Sequence, residues 1–463
     1  MQPTSSNAKP VLVISQDVVG TLMAGPGIRY YQLARVLARE FPVQLAIPAG
    51  STLETAPGFE LLKYSRGDEP ALLRAIHGAR AVVLSAVAVA WFPELAQAGV
   101  PIAVDGYNPF QSETFYLRES QASDQVAELT PAYLEGDFFF CASERQRDWW
   151  LGLLEANGRV NIHNYHEDPT FRRLIDLVPY GLSEVAPVHT RHLLKGVWPG
   201  IGVDDKVLLW GGGLWPWLDP LTAIRAVSRL GESRPDVRLL FPATRHPNAA
   251  MAAFPSLTEA ARRLAAELGL LDRTVFFGDW VPYADWVNVL LESDVALTLH
   301  PRDTLESRLA FRTRVLDYIW AGLPTVAARG DVLADLIGDQ QLGAVVEPEA
   351  PDQVAAAVLR LLAVPRADWQ TRFEAARRAL NWEAVIGPLA VFCRHPRVAP
   401  DKVANGANLG NAYYVRQRLA LEKMQADLRA RVQDYEASHA LRWLRRLDPL
   451  ILRVARLRRW VRP

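Results

Sequence analysis

The sequence predicts an α/β protein in which two doubly wound, parallel-sheet domains of Rossmann-like type face each other across a cleft, followed by an α-helical, basic C-terminal tail. Three observations lead there. Short apolar runs alternate with segments of helical period along most of the 463 residues, the signature of stacked βα units. A stretch rich in Pro and Gly at 179–205 breaks that rhythm once, as an interdomain linker does. Beyond residue 400 the strand-like runs stop and the charge becomes lopsided.

The elements follow in order. A strand is predicted over 11–15, leading through Gly25-Pro26-Gly27 into a helix over 28–40 whose apolar positions are Leu33, Val36 and Leu37. Strands are predicted over 43–47, 81–84, 102–104, 138–141 and 174–178, from their short Val-, Ile- and Phe-rich composition. After the linker the alternation restarts with strands over 207–210, 237–241, 274–277, 295–300, 325–328 and 344–346. Helical segments lie between them at 218–230, 247–269, 284–292 and 311–321, the last ended by Gly322. In open sheets of this kind ligands sit outside the carboxyl ends of the strands, so the loops after strands carry the candidate site.

Charge is balanced, 51 basic against 51 acidic side chains. The balance hides a split. Residues 441–463 hold eight arginines (442, 445, 446, 453, 456, 458, 459 and 462) against Asp448, so 8 − 1 gives +7 and the remaining 440 residues carry −7. A body of that sign excludes a generally basic nucleic-acid binder. The tail interleaves its arginines with Leu444, Leu447, Ile451, Leu457 and Trp460, which suits an interfacial helix pair on an anionic membrane surface. At about 1 kcal/mol per basic residue near such a surface, eight arginines suffice for reversible anchoring. An acidic partner and a solvated tail are the alternatives. Two cysteines, Cys141 and Cys393, cannot build a disulfide framework, and no run approaches the roughly 18 apolar residues of a membrane span. The expected location is cytoplasmic, peripheral on the inner face of the cytoplasmic membrane.

Several residues are placed where chemistry is expected. Gly25 and Gly27 sit where a strand feeds a helix, so the backbone can approach a phosphate there, although a tight turn explains them as well. The densest segment runs from His300 to Pro324. Within it Arg312 and Arg314 occupy a helix first turn, where the dipole favours anions over cations. A bound anion accounts for them; salt bridges to neighbouring acids are the competing reading. Asp105 and His300, both at strand ends, are candidates to accept a hydrogen bond from a substrate or act as base. A loop-capping Asp and a backbone-bonded His are the plain alternatives.

The segment 311–324 (FRTRVLDYIWAGLP) resembles the donor-site helix of GT-B glycosyltransferases, specifically a subgroup of glycosyltransferase family 4. Residues 138–147 (FFFCASERQR), 209–219 (LWGGGLWPWLD), 244–247 (TRHP) and 280–283 (WVPY) agree with that subgroup in order. The resemblance implies an acceptor-side domain at 10–190, a nucleotide-sugar donor domain at 191–380 and a helix at 381–400 crossing back to the first domain; the polar, helically spaced residues beyond it are read separately as a helical extension at 405–463. It implies retention at the anomeric carbon and no metal or cofactor beyond a nucleoside diphosphate sugar as co-substrate. A glycan or lipid-linked hydroxyl compound would be the acceptor; the oligomeric state stays open.

Carried over by position, Asp317 replaces the glutamate that binds the ribose hydroxyls. Its partner glutamate, eight residues earlier, is replaced by Leu309, leaving Glu306 as substitute. The usual arginine and lysine of the diphosphate site fall at Gly213 and Leu218, so Arg312, Arg314 and Arg245 are the replacement cations. Gly212, Gly213, Thr313, Asp279 and Trp280 complete the expected donor-binding set. A glycosyltransferase is the first reading. A nucleotide-sugar-binding, membrane-associated subunit that has lost transfer is the second, and a nucleotide-sugar epimerase the third.

Overall fold

The computed structural model describes residues 8–21, 23–67, 70–107, 122–245, 256–302, 304–405, 421 and 424–432. The chain divides into two compact units, Met1–Asp401 and Lys402–Pro463. In the second, the described helical residues Met424, Leu428 and Val432 are exposed. The tail at 441–463, to which membrane anchoring is assigned above, lies outside the described residues. Among the described residues no helix is long and apolar enough to cross a membrane.

The first unit contains two sheets, and every pairing in both is parallel. The first has seven strands: β1 (Val11–Ile14), β2 (Val43–Pro48), β3 (Glu60–Tyr64), β4 (Ala81–Ser85), β5 (Ile102–Asp105), β6 (Phe138–Cys141) and β7 (Ile175–Leu177), in the order β3-β2-β1-β4-β5-β6-β7. The second has six: β8 (Lys206–Leu209), β9 (Val237–Phe241), β10 (Val275–Phe277), β11 (Val295–Thr298), β12 (Thr325–Ala328) and β13 (Gly343–Val346), in the order β10-β9-β8-β11-β12-β13. Central strands such as VLVI, FFFC and VALT are buried at every residue, because helices cover both faces of a parallel sheet. The edge strand β3, ELLKY, is partly exposed and mixes charge with apolar residues. That weak pattern is why it is absent from the predicted strands.

Strand order reverses between β1 and β4 and again between β8 and β11. These two switch points open the crevices in which doubly wound sheets bind ligands. The chain passes between the sheets twice. Leu182 bridges to Asn381, with Leu182 N–H donating to Leu380 O at 2.7 Å and Trp382 N–H to Leu182 O at 3.2 Å. Trp382 is buried against Tyr180, their ring centroids 4.9 Å apart. The helix Gly387–Arg394 then packs on the first sheet, where Phe392 stacks on Phe138 at 5.3 Å. Farther on, Asp401 forms an ion pair with Arg159 in which both side chains are fully buried.

Candidate active site

Five polar atoms gather at the carboxyl ends of β8 and β11: Trp210 Nε1, Asp219 Oδ2, Thr298 Oγ1, His300 Nε2 and Arg314 Nη1. Each is buried without a hydrogen-bond partner among the described residues. Buried polar atoms are normally paired, so a cluster of exceptions at a switch point marks a place built for solvent or ligand. Asp219 N–H donates to Leu299 O at 3.0 Å, folding the loop after β8 over the end of β11.

Arg314 is the central residue. It lies in the first turn of the helix Thr313–Ala321 and reaches the loop after β8, where Nη2 donates to Gly213 O at 3.3 Å. Its guanidinium lies 5.7 Å from the centroid of the Trp210 ring. No carboxylate stands within ion-pair distance of it among the described residues. Burial pushes its pKa down to about 10; Tyr318 opposes the shift, Arg312 adds to it, and Glu306 and Asp317 oppose it. Gly212, at φ +109°, brings the backbone so close that a Cβ there would stand 3.4 Å from Arg314 Nη2, in a conformation that L side chains rarely adopt. Tyr318, one turn along the same helix, pins the loop by accepting from Gly211 N–H at 2.7 Å.

Arg312 behaves oppositely. It is buried, and its Nη atoms grip Glu306 Oε1 and Oε2 at 3.2 and 2.9 Å, while Nε donates to Asp331 at 3.0 Å. Burial alone would lower its pKa, but Glu306 and Asp331 overcome this and raise it. The expected diphosphate cation is therefore committed to two carboxylates. Glu306, expected to hold sugar hydroxyls, has both oxygens occupied by that same guanidinium. The salt-bridge reading describes Arg312; it does not describe Arg314.

Asp105 is also committed. Arg29 Nε and Nη2 donate to its two oxygens at 2.6 and 3.1 Å, Tyr30 O–H to Oδ2 at 3.2 Å, and Tyr107 N–H to Oδ1 at 3.0 Å. A carboxylate held by four donors secures the end of β5, and both of its oxygens are occupied within the domain. Burial works against the Arg29 charge, yet Asp105 raises its pKa.

Asp317 is half-buried and accepts from Trp286 Nε1 at 3.0 Å through one oxygen. Burial pushes its carboxyl up to about 6, against Trp286 and Arg314. His300 is buried, its Nδ1 lying 2.9 Å from Pro301 O. Since a carbonyl only accepts, Nδ1 is the donor in this contact, and Nε2 is left without a partner among the described residues. Thr313 begins the helix of Arg314. Arg245, Asp279 and Trp280 are exposed, and Arg245 N–H donates to Asp279 O at 2.9 Å. Gly25 and Gly27 begin the helix Gly25–Leu37 of the other domain. A Cβ on Gly27 would stand 2.3 Å from Val18 O, so its requirement comes from the chain's own backbone.

The two domains touch through the 309–335 region. Tyr107 O–H donates to Phe311 O and Gln146 Nε2 to Leu309 O, both at 2.8 Å, and Arg145 reaches Gly330 O and Asp335. These contacts were missed in the sequence, although residues 144–147 stood in a recognised block. Elsewhere, His189, His192 and Glu292 bring three potential metal-ligand atoms within 4.8 Å of one another. Glu292 Oε1 already accepts from His189 and Leu193 N–H, and Oε2 from Leu194 and Lys195 N–H, so this carboxylate anchors the linker.

Two facing parallel-sheet domains with a return helix and a crevice in the second define the GT-B fold. Residues 205–364 match the family model described as glycosyl transferases group 1. The second domain is thus a glycosyl transferases group 1 domain on a GT-B scaffold, the equipment of a glycosyltransferase. Among solved structures the chain is similar to WaaG, described as a glycosyltransferase involved in lipopolysaccharide biosynthesis, at 16% identity and TM-score 0.55, covering 83% of this chain and 100% of that one. It is similar to sucrose-phosphate synthase from Thermosynechococcus elongatus at 15% identity and TM-score 0.57, covering 84% and 98%. It is also similar to HepE from Anabaena, solved with UDP and glucose, at 11% identity and TM-score 0.59, covering 84% and 100%. No curated protein matches the chain in sequence.

Proposed function

We propose that this glycosyltransferase moves a sugar from a nucleoside diphosphate sugar to a hydroxyl of a lipid-linked or cell-surface glycan precursor, with retention and without a metal, as in the family 4 subgroup it resembles. One observation carries the donor assignment. Arg314, a half-buried cation with an unpartnered Nη1, stands at the β8/β11 switch point beside a glycine loop. Keeping a guanidinium there without a carboxylate is costly unless an anion completes the site.

In this reading Arg314 and the start of the helix Thr313–Ala321 receive the diphosphate and stabilise its charge as it departs. Asp317 has an oxygen left for ribose hydroxyls, and His300 Nε2, buried without a partner among the described residues, is left to meet a sugar hydroxyl. Positioning and electrostatic stabilisation then supply most of the rate. A thermal-shift screen against nucleoside diphosphates and their sugars tests donor binding, and NMR of the product's anomeric centre tests retention. Absence of any nucleotide-dependent shift would reject the donor site; an inverted product would reject the family 4 mechanism.

A binding subunit without transfer is the second reading, favoured by the sequestration of Glu306 by Arg312 and of Asp105 by Arg29. Nucleotide-sugar binding with no glycosylated product would select it.

A further inference from the structure

The helix Thr313–Ala321 has two ends. Arg314 stands at one; at the other, about 10 Å along the axis from it at 1.5 Å per residue, Ala321 lines a cavity of about 820 Å³. The linker forms much of its wall through Ala186, Pro187, Val197 and Val203. Four valines of this linker are unusually bare: Val185, Val188, Val197 and Val203 are 68, 62, 56 and 68% exposed. Of these, Val197 and Val203 stand on the cavity wall beside Ala186 and Pro187, so exposed apolar surface adjoins the cavity.

The same cavity is lined by Arg366 and Arg377. Each gives one donor to a helix-terminal carbonyl, Arg366 to Leu291 O at 2.7 Å and Arg377 to Ile319 O at 3.2 Å. Neither has a carboxylate within ion-pair distance among the described residues, whereas the other charges of the wall are neutralised. Lys195 pairs with Asp294 at 2.8 Å, and Glu292 is held by four donors. What remains is a pair of guanidiniums, Arg366 exposed and Arg377 half-buried, in a cavity whose wall they share with Val197 and Val203.

That combination selects an anionic amphiphile. A soluble phosphate would use the arginines and gain nothing from the valines; a neutral apolar surface would do the reverse. We propose that this face of the second domain docks on an anionic phospholipid surface, with a headgroup phosphate between Arg366 and Arg377 and the exposed valines at the headgroup–acyl boundary. The docking face is separate from the donor crevice and does not depend on the proposed reaction.

The test uses the full chain. Cys141 and Cys393 are buried, so Val203→Cys accepts an environment-sensitive fluorophore at one accessible site. Phosphatidylglycerol vesicles should blue-shift the fluorophore, and brominated lipid should quench it. Phosphatidylcholine vesicles and glycerol 3-phosphate should do neither. Adding Arg366→Gln and Arg377→Gln should weaken the vesicle response at least tenfold, as loss of charged hydrogen bonds does. Val188→Asp with Val197→Asp, at exposed positions that carry little of the fold, should weaken it comparably. Four outcomes would overturn the proposal: vesicles that co-sediment the protein while leaving the fluorophore unshifted, failure to bind vesicles at all, a full response to glycerol 3-phosphate alone, or a response indifferent to both double substitutions.

Discussion

Arg314→Gln should make the unliganded protein more stable and the liganded one inactive. Burial lowers the Arg314 pKa from 12.5 to about 10. At 1.36 kcal/mol per unit this corresponds to roughly 3 kcal/mol of unfavourable charge burial, an upper bound because solvent screens a half-buried group. The folded-state pKa lies below the unfolded one, so the penalty is fully present below about pH 10 and is relieved as pH rises above it. At pH 7.5 glutamine removes that cost, at the loss of one long hydrogen bond to Gly213 O. The same substitution removes a charge pair with the diphosphate, about 4 kcal/mol at 4 Å and an effective dielectric of 20 before desolvation. Donor affinity should fall at least about 100-fold. The assay is thermal denaturation at pH 7.5 with and without a nucleoside diphosphate, beside a transfer assay. The variant should melt higher than wild type when unliganded and show no ligand shift. Melting below wild type would refute the uncompensated-charge argument, and a retained ligand shift would refute the donor assignment.

Arg312, two residues away, should behave in the opposite sense. Arg312→Met strands Glu306 and Asp331 in the interior and should destabilise by about 3–5 kcal/mol, visible as a lower melting temperature or loss of soluble protein. Asp317, raised to about 6, binds its proton more tightly in the folded state. Its contribution should therefore lower wild-type stability as pH rises from about 4 through 6, by at most about 3 kcal/mol. Asp317→Asn should flatten that part of the melting profile, and an unchanged slope would show the carboxyl to be solvated. Tyr107→Phe deletes the bond to Phe311 O, a net loss of about 1 kcal/mol; donor affinity measured by titration should weaken about fivefold while the far-ultraviolet spectrum is preserved.

The fold was legible because both sheets are parallel and doubly covered, so their central strands read as continuous apolar runs. The exception, β3, is an edge strand whose Glu60 and Lys63 face solvent. Of the candidate site, the sequence singled out the segment and its two arginines, of which Arg312 is buried and Arg314 half-buried. Which of them remains available for an anion was beyond the sequence. The answer depends on Asp331, delivered by the turn after β12, and on the distance of every other acid from Arg314. Likewise Asp105 read as an open strand-end carboxylate because its partner, Arg29, is 76 residues away in the chain. Periodicity locates elements, but ion pairing between distant loops is settled only by tertiary approach.

The bridge between Leu182 and Asn381 makes the second domain, topologically, an insertion whose entry and exit lie side by side. A module with adjoining ends can be removed or exchanged without stretching its host. Because both crossings meet at one spot, reorienting the donor half against the acceptor half requires torsional change in only a few residues around Gly181 and Asn381. Trp382, wedged against Tyr180, is the bearing on which that rotation would turn.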